Sequence, residues 1–179
     1  MLAGAKSAAK LGGQKGKRMF RDPTVMLHNV VLSLSDSFDL VHPVVADHQQ
    51  RVAYTALRMA QTFGFDLDLQ ADVMYAAALH DIGILSVADK MCVLEFDVSD
   101  IGRHAEIGST FLQGFPVFAR AAELVQHHHR RWDDEPGWEG VDPRTRLAAN
   151  IICLADRLDV STDKDAGILS QVTSVKKKL

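Results

Sequence analysis

From residue 24 onward, apolar residues recur at spacings of three and four, and no alternating apolar–polar pattern persists beyond four or five residues. Residues 24–40 place Val25, Leu27, His28, Val31, Leu32, Leu34 and Phe38 at helical spacing, which predicts a first helix before the break at Pro43. A second helix is expected over 47–63. Asp47 is its candidate N-cap with Gln50 three residues on, Val52, Ala56, Met59, Ala60 and Phe63 line its inner face, and Gly64 stops it. Further helices are expected over 69–81, over 100–113 with Asp100 as cap, over 116–129, and over 143–158 with Pro143 in the first turn. A weaker pattern covers 165–175. Two stretches are not helical: residues 83–98 around Gly83, and the charged run RRWDDEPGWEGVD at 130–142. There is no internal repeat, and the pattern as a whole predicts an all-α helical bundle.

Composition narrows this further. The chain has 179 residues, of which 47% are hydrophobic and 24% charged, which is one soluble domain's worth. No apolar run approaches the roughly 18 residues of a membrane span. The two cysteines, Cys92 and Cys153, form no CxxC pair; they fit a reducing cytoplasm and exclude a disulfide scaffold. Charge is uneven. Residues 1–21 carry Lys6, Lys10, Lys15, Lys17, Arg18 and Arg21 and no acid, and they read as a disordered basic leader without the apolar stretch of a secretion signal. Residues 22–179 form the expected folded domain. It is acidic, which argues against duplex nucleic acid as a partner.

Candidate chemistry lies in the histidines. Of eight, His28 and His42 have no neighbours that suggest a site. The others fall near expected helix ends: His48, His80 beside Asp81, His104, and the run His127-His128-His129. His104 faces Gly108 one turn on, and a glycine there lets another group approach closely. Asp156 follows the apolar stretch LAANIICLA, and a carboxylate on a buried helix is costly unless paired, hydrogen-bonded or metal-bound. Each feature alone has a structural explanation: a core histidine, a helix-surface pair, a cation at a helix C-terminus. The spacing of the set says more. Successive members are separated by about one helix and one connection, so an up-and-down bundle brings them to one cavity. Five histidines and two carboxylates are too many ligands for one zinc. They suit two six-coordinate Fe or Mn ions, with Zn or Ni as further options, and such a pair holds a hydroxide for in-line attack at phosphorus.

In these residues the chain resembles the HD superfamily of metal-dependent phosphohydrolases, and within it the HD-GYP branch. LHDIG supplies the name-giving pair His80 and Asp81, RHAEIG is similar to a His-Pro-x-x-Gly element, HHRRWDD to a His-His-Glu-Arg-Trp-Asp-Gly segment, and IICLADRLDV to the last ligand segment. The resemblance implies an all-helical HD fold and a two-metal centre held by His48, His80, Asp81, His104, His128, His129 and Asp156, with His80 and Asp81 catalytic. It implies hydrolysis of a phosphodiester in cyclic di-GMP or another phosphorylated small molecule. The sequence departs from the family pattern where Ile84 replaces a phosphate-binding lysine, Arg130 replaces a glutamate, and Gly137-Trp138 stands for the Gly-Tyr-Pro element. Val44 stands where some members have a third-metal glutamate, so two metals are expected. Arg130, Arg131 and Trp138 are therefore the candidate substrate contacts. The alternative reading is a catalytically weak signalling module that binds a nucleotide or a protein partner; a homodimer is also left open.

Overall fold

A computed structural model describes residues 25–39, 46–84 and 101–178. Among the described residues the chain forms seven α-helices and no strand. These are α1 (Leu27–Asp39), α2 (His48–Thr62), α3 (Leu67–Ala78), α4 (Ile101–Gln113), α5 (Ala119–His127), α6 (Pro143–Ser161) and α7 (Ile168–Lys178). Two 3₁₀ turns, Pro116–Phe118 and Glu135–Trp138, precede α5 and α6. The all-α bundle expected from the periodicity is thus the observed architecture. The basic stretch 1–21, His42, Pro43, Val44, Cys92, the Asp100 cap and most of the 83–98 break lie outside the described residues.

The core is built largely from alanine. Ala53, Ala56 and Ala60 of α2, Ala76, Ala77 and Ala78 of α3, Ala121 and Ala122 of α5, and Ala148 and Ala155 of α6 are all buried in it. Small side chains let α2 pack closely on α3 and α6, and α5 on α4. Larger residues fill the remaining space: Leu79, Leu112, Leu124 and Ile152 are fully buried, each stabilising by roughly 1.5–3 kcal/mol through removal from water.

Several local expectations are corrected by tertiary contacts. Asp47 occupies the N-cap position of α2 but sits in the left-handed region (φ 58°) and makes no side-chain cap bond. The start of α2 is served instead from α1, where the buried carboxylate of Asp39 accepts from the Gln49 backbone N–H at 3.3 Å. An anion there is favoured by the helix dipole. Gln50 likewise donates to Asp36 of α1 rather than closing a capping box. Gly64 does end α2, with φ 71°, and Asp66 then caps α3 by accepting from the Leu69 N–H at 2.9 Å. Of the apolar stripe expected for the first helix only Val31 is fully buried; Leu27 and Phe38 pack partly buried against the core, and Val25, just before α1, Leu32 and Leu34 are exposed. The fifth helix begins as a 3₁₀ turn at Pro116, and the seventh starts at residue 168, because the Gln171 side chain closes the preceding loop onto the backbone of Asp163.

Two boundaries matter for the site. α3 ends at Ala78 rather than 81, so Leu79–Gly83 form a turn, with Ile82 N–H on the Leu79 carbonyl at 3.0 Å and Ile84 N–H on that of Asp81 at 2.9 Å. α6 begins where expected, with Asp142 accepting from the N–H groups of Arg144 and Thr145, and continues to Ser161. It is not buried all round: Cys153 is half-buried and Leu154 is exposed.

Candidate metal centre

The ends of four helices and the middle of a fifth converge on one buried region. His48 opens α2. His80 and Asp81 lie in the turn after α3, His104 is in the first turn of α4, and His128 and His129 follow α5. Asp156 projects from α6. Six of these side chains are buried; His129 is partly exposed. The close approach that seats the α3 turn on α4 needs glycine. A Cβ on Gly83 would stand 1.9 Å from the His104 carbonyl oxygen and 2.6 Å from the Gly108 nitrogen. Gly108 thus does admit a neighbour, and the neighbour is the turn that carries His80 and Asp81.

The ligand-type atoms form two separate groups, His48/His80/Asp156 and His104/His128/His129, linked by a third, His80/Asp81/His128, that shares one residue with each. Asp81 lies between them. Its Oδ1 is 3.4 Å from His80 Nε2 and 3.6 Å from His104 Nε2, and its Oδ2 is 4.0 Å from His48 Nε2. Asp156 Oδ1 is 3.4 Å from His48 Nε2 and 3.7 Å from His80 Nε2. All seven residues singled out from the sequence are therefore brought together, and His127 is turned away against the ring of Trp138.

The ring orientations fit a cation at each group. The Nδ1 of His80 donates to the Ala77 carbonyl at 2.8 Å and that of His128 to the Val125 carbonyl at 2.6 Å. A carbonyl only accepts, so each ring keeps its Nε2 lone pair for the interior. His128 Nε2 is buried with no hydrogen-bond partner, an uncompensated cost of about 1–3 kcal/mol in a protein interior. His129 Nε2 and His104 Nε2 are 2.9 Å apart. Two nitrogens bound at a right angle to one first-row ion, at about 2.0–2.1 Å each, are separated by roughly 3 Å. A divalent ion satisfies both observations.

Electrostatics divide the groups. Burial holds His80 and His128 neutral, each lowered to about 4, and burial with the neighbouring His128 and His104 rings also lowers His129. Neutral imidazole is the ligating form. His48 behaves otherwise. Burial opposes its charge, but Asp156 and Asp159 together outweigh burial and raise it to about 9. The His48 imidazolium thus occupies the cationic role between the carboxylates when no ion does.

Three supporting residues are not evident from the sequence reading. Asp159 accepts from His48 Nδ1 at 2.8 Å, and Arg51 holds the same carboxylate at 2.6 and 3.0 Å. This chain of contacts aims His48 Nε2 at the centre, as carboxylate partners orient metal-ligating imidazoles. Gln49 donates to Asp81 Oδ2 at 3.0 Å. A second aspartate one turn beyond Asp156 was the available signal for Asp159; nothing in the pattern marks Gln49. Among the candidate substrate contacts, Trp138 requires correction. Its indole is 4% exposed and its N–H donates to the Arg131 carbonyl at 2.7 Å, so it braces the loop and offers no open face to a substrate. Arg130 lies over that ring at 5.7 Å. Arg131 is exposed and pairs with Asp133.

Known proteins point the same way. A cyclic di-GMP phosphodiesterase of Thermotoga maritima is 27% identical over 127 residues, covering 65% of this chain and 34% of that protein. A 3'3'-cGAMP-specific phosphodiesterase 1 of Vibrio cholerae is 28% identical over 136 residues, covering 75% of this chain and 31% of that protein. The chain spans about a third of the length of these curated relatives. No solved structure gives a significant match. The HD domain model matches residues 45–161, a span that holds all seven clustered side chains and well over half the chain, and the protein therefore belongs to the HD domain family.

Proposed function

We propose that the protein is a metal-dependent phosphodiesterase of the HD-GYP branch acting on a cyclic dinucleotide, with cyclic di-GMP the leading substrate. The observation that carries this reading is the place of Asp81, within 4.0 Å of a ring nitrogen of each imidazole group. His48, His80 and Asp156 would hold one divalent ion and His104, His128 and His129 a second, with Asp81 serving both. Five imidazoles and two carboxylates favour Fe or Mn, with Zn or Ni also accommodated. Bound there, the ions supply an activated water and neutralise charge on the phosphoryl oxygens.

The chain's own residues hold that arrangement. The Ala77 and Val125 carbonyls fix two imidazole tautomers, Asp159 and Arg51 fix a third ring, and Gln49 positions the Asp81 carboxylate. His80 and Asp81, adjacent in one turn and members of the set that links the two groups, take the catalytic roles. Arg131, exposed two residues beyond His129, takes the phosphate contact, and Arg130 supports the loop. Both relatives are named phosphodiesterases, which favours turnover. Ile84 in place of a cation favours the second reading, a nucleotide-binding signalling module. No helix among the described residues is long and apolar enough to cross a membrane, and the sparse cysteines support a cytoplasmic placement. The test is hydrolysis of cyclic di-GMP and of bis(p-nitrophenyl) phosphate by anaerobically purified protein. Turnover abolished by Asp81→Ala supports the enzyme. Two bound metals without hydrolysis of either compound establishes the signalling module.

A further inference from the structure

A cleft of about 490 Å³ opens between the loop after α5 and one face of α6. Asn150, Cys153, Leu154 and Arg157, at helical spacing along α6, form its floor, and Arg131, Trp132 and Asp133 form its wall. A volume of this size is in the range of small-molecule sites. Trp132 is 53% exposed but not loose. The Arg146 guanidinium lies 4.4 Å from the centre of its ring and also donates to its carbonyl oxygen. A flat aromatic face is thus held in place at the surface, which packing of the core does not require. Both edges of the cleft adjoin the metal centre along the chain: Arg131 follows His129, the partly exposed ligand-type residue, by two positions, and Arg157 follows Asp156 directly.

We propose that this cleft takes the nucleoside and adjoining phosphate of a substrate, the half that flanks the scissile phosphodiester. The inference rests on the phosphodiesterase reading and specifies its substrate side. The base stacks on Trp132 above the exposed apolar side chain of Leu154. Stacking on an aromatic ring is tolerant of base identity. The Asn150 amide, whose nitrogen donates to the Arg146 carbonyl at 3.0 Å, presents its oxygen as an acceptor for a base-edge N–H. Arg131 and Arg157 hold the phosphate, since guanidinium matches phosphate oxygens bidentately. Arg131 is paired with Asp133 in the absence of ligand, but both side chains are more than 70% exposed, and an exposed ion pair offers little resistance to exchange for a phosphate. These two arginines also supply cations to a site where position 84 offers none.

The experiment measures binding of GMP and, separately, of inorganic phosphate to the metal-loaded chain by calorimetry. GMP binds more tightly than phosphate. Trp132→Ala lowers GMP affinity about tenfold or more while phosphate affinity moves less than twofold, and Trp132→Phe restores most of the loss. Arg157→Gln, on a separate element, lowers GMP affinity at least fivefold. Metal content and melting temperature of each variant, measured in parallel, stay at the parent values. GMP binding no tighter than phosphate, or unaffected by Trp132→Ala and Arg157→Gln, overturns the cleft assignment and leaves the phosphodiesterase reading standing. Absence of phosphodiester hydrolysis by the parent chain overturns the latter, and Trp132-dependent GMP binding in that case still supports the cleft as a nucleotide site.

Discussion

Replacing Gly83 with alanine tests how the α3 turn and α4 share the centre. The added Cβ would lie 1.9 Å from the His104 carbonyl oxygen, where real Cβ atoms essentially never come within 3.0 Å. The missing 1.1 Å must come from backbone, because the other near atoms are the Gly108 nitrogen and the His104 carbonyl carbon. Overpacking costs about 1–3 kcal/mol where side chains can adjust, so a backbone clash belongs at or above the upper end. The effect on the site is larger still. Asp81 Oδ1 and His104 Nε2 are 3.6 Å apart across this contact, and metal–ligand distances tolerate only about 0.2 Å. Gly83→Ala is therefore expected to lower stability in urea by about 3 kcal/mol and to weaken metal binding at least tenfold in a competitive chelator titration. Gly108→Ala is the control. Its Cβ meets the Ile82 Cγ2 at 3.1 Å, the Gly83 nitrogen at 3.2 Å and the Val125 Cγ1 at 3.3 Å, and alanine in a helix regains up to about 1 kcal/mol over glycine. Its net effect should lie within about 1 kcal/mol of zero. Gly83→Ala with stability changed by less than about 0.5 kcal/mol, against the roughly 3 kcal/mol expected from overpacking, and metal affinity intact would refute the reasoning.

Other outcomes follow from the same contacts. Asp159→Asn removes the anionic partner of His48 Nδ1, and metal affinity should fall about 10–100-fold with little loss of fold, read by the same titration; an unchanged affinity refutes the positioning role. For the metal-free protein, the folded values of His80 and His128 lie near 4, below the unfolded 6.5, so acidification through that window protonates the unfolded chain first and stability is lost as pH falls from 6.5 toward 4. His48 has the opposite sign: its folded value near 9 contributes stability that is complete below 6.5 and lost as pH rises through 9. Denaturant midpoints from pH 4 to 9.5 should thus peak near 6.5; a steady rise with pH contradicts the His48 assignment, and a steady fall contradicts those of His80 and His128. Ile84→Lys returns a cation beside the turn, and the expected result is higher kcat/KM on cyclic di-GMP.

Much of the bundle was legible because helical periodicity, stop signals such as Gly64 and start signals such as Pro143 act locally. The cluster was legible for a related reason: histidines and aspartates at near-equal intervals of one helix plus one connection mark helix ends that a bundle brings together. What the sequence concealed depends on contacts between elements. Asp47 looked like the α2 cap, yet Asp39 from α1 supplies the acceptor. The α1 stripe looked like a core face, yet most of it is exposed. Trp138 looked like a remnant of a substrate loop, yet it is the loop's buried brace. Gln49 and Arg51 read as ordinary polar positions on a helix, and only the arrival of Asp81 and Asp159 from distant segments gives them a task.

The central claim is that side chains from five segments form a site for a pair of divalent ions. Metal content of the anaerobically purified chain, by plasma mass spectrometry, addresses it directly. The account expects about two Fe or Mn per chain, and a fall in Asp81→Ala of at least half. A chain that folds, melts cooperatively and carries no transition metal after reconstitution would contradict it.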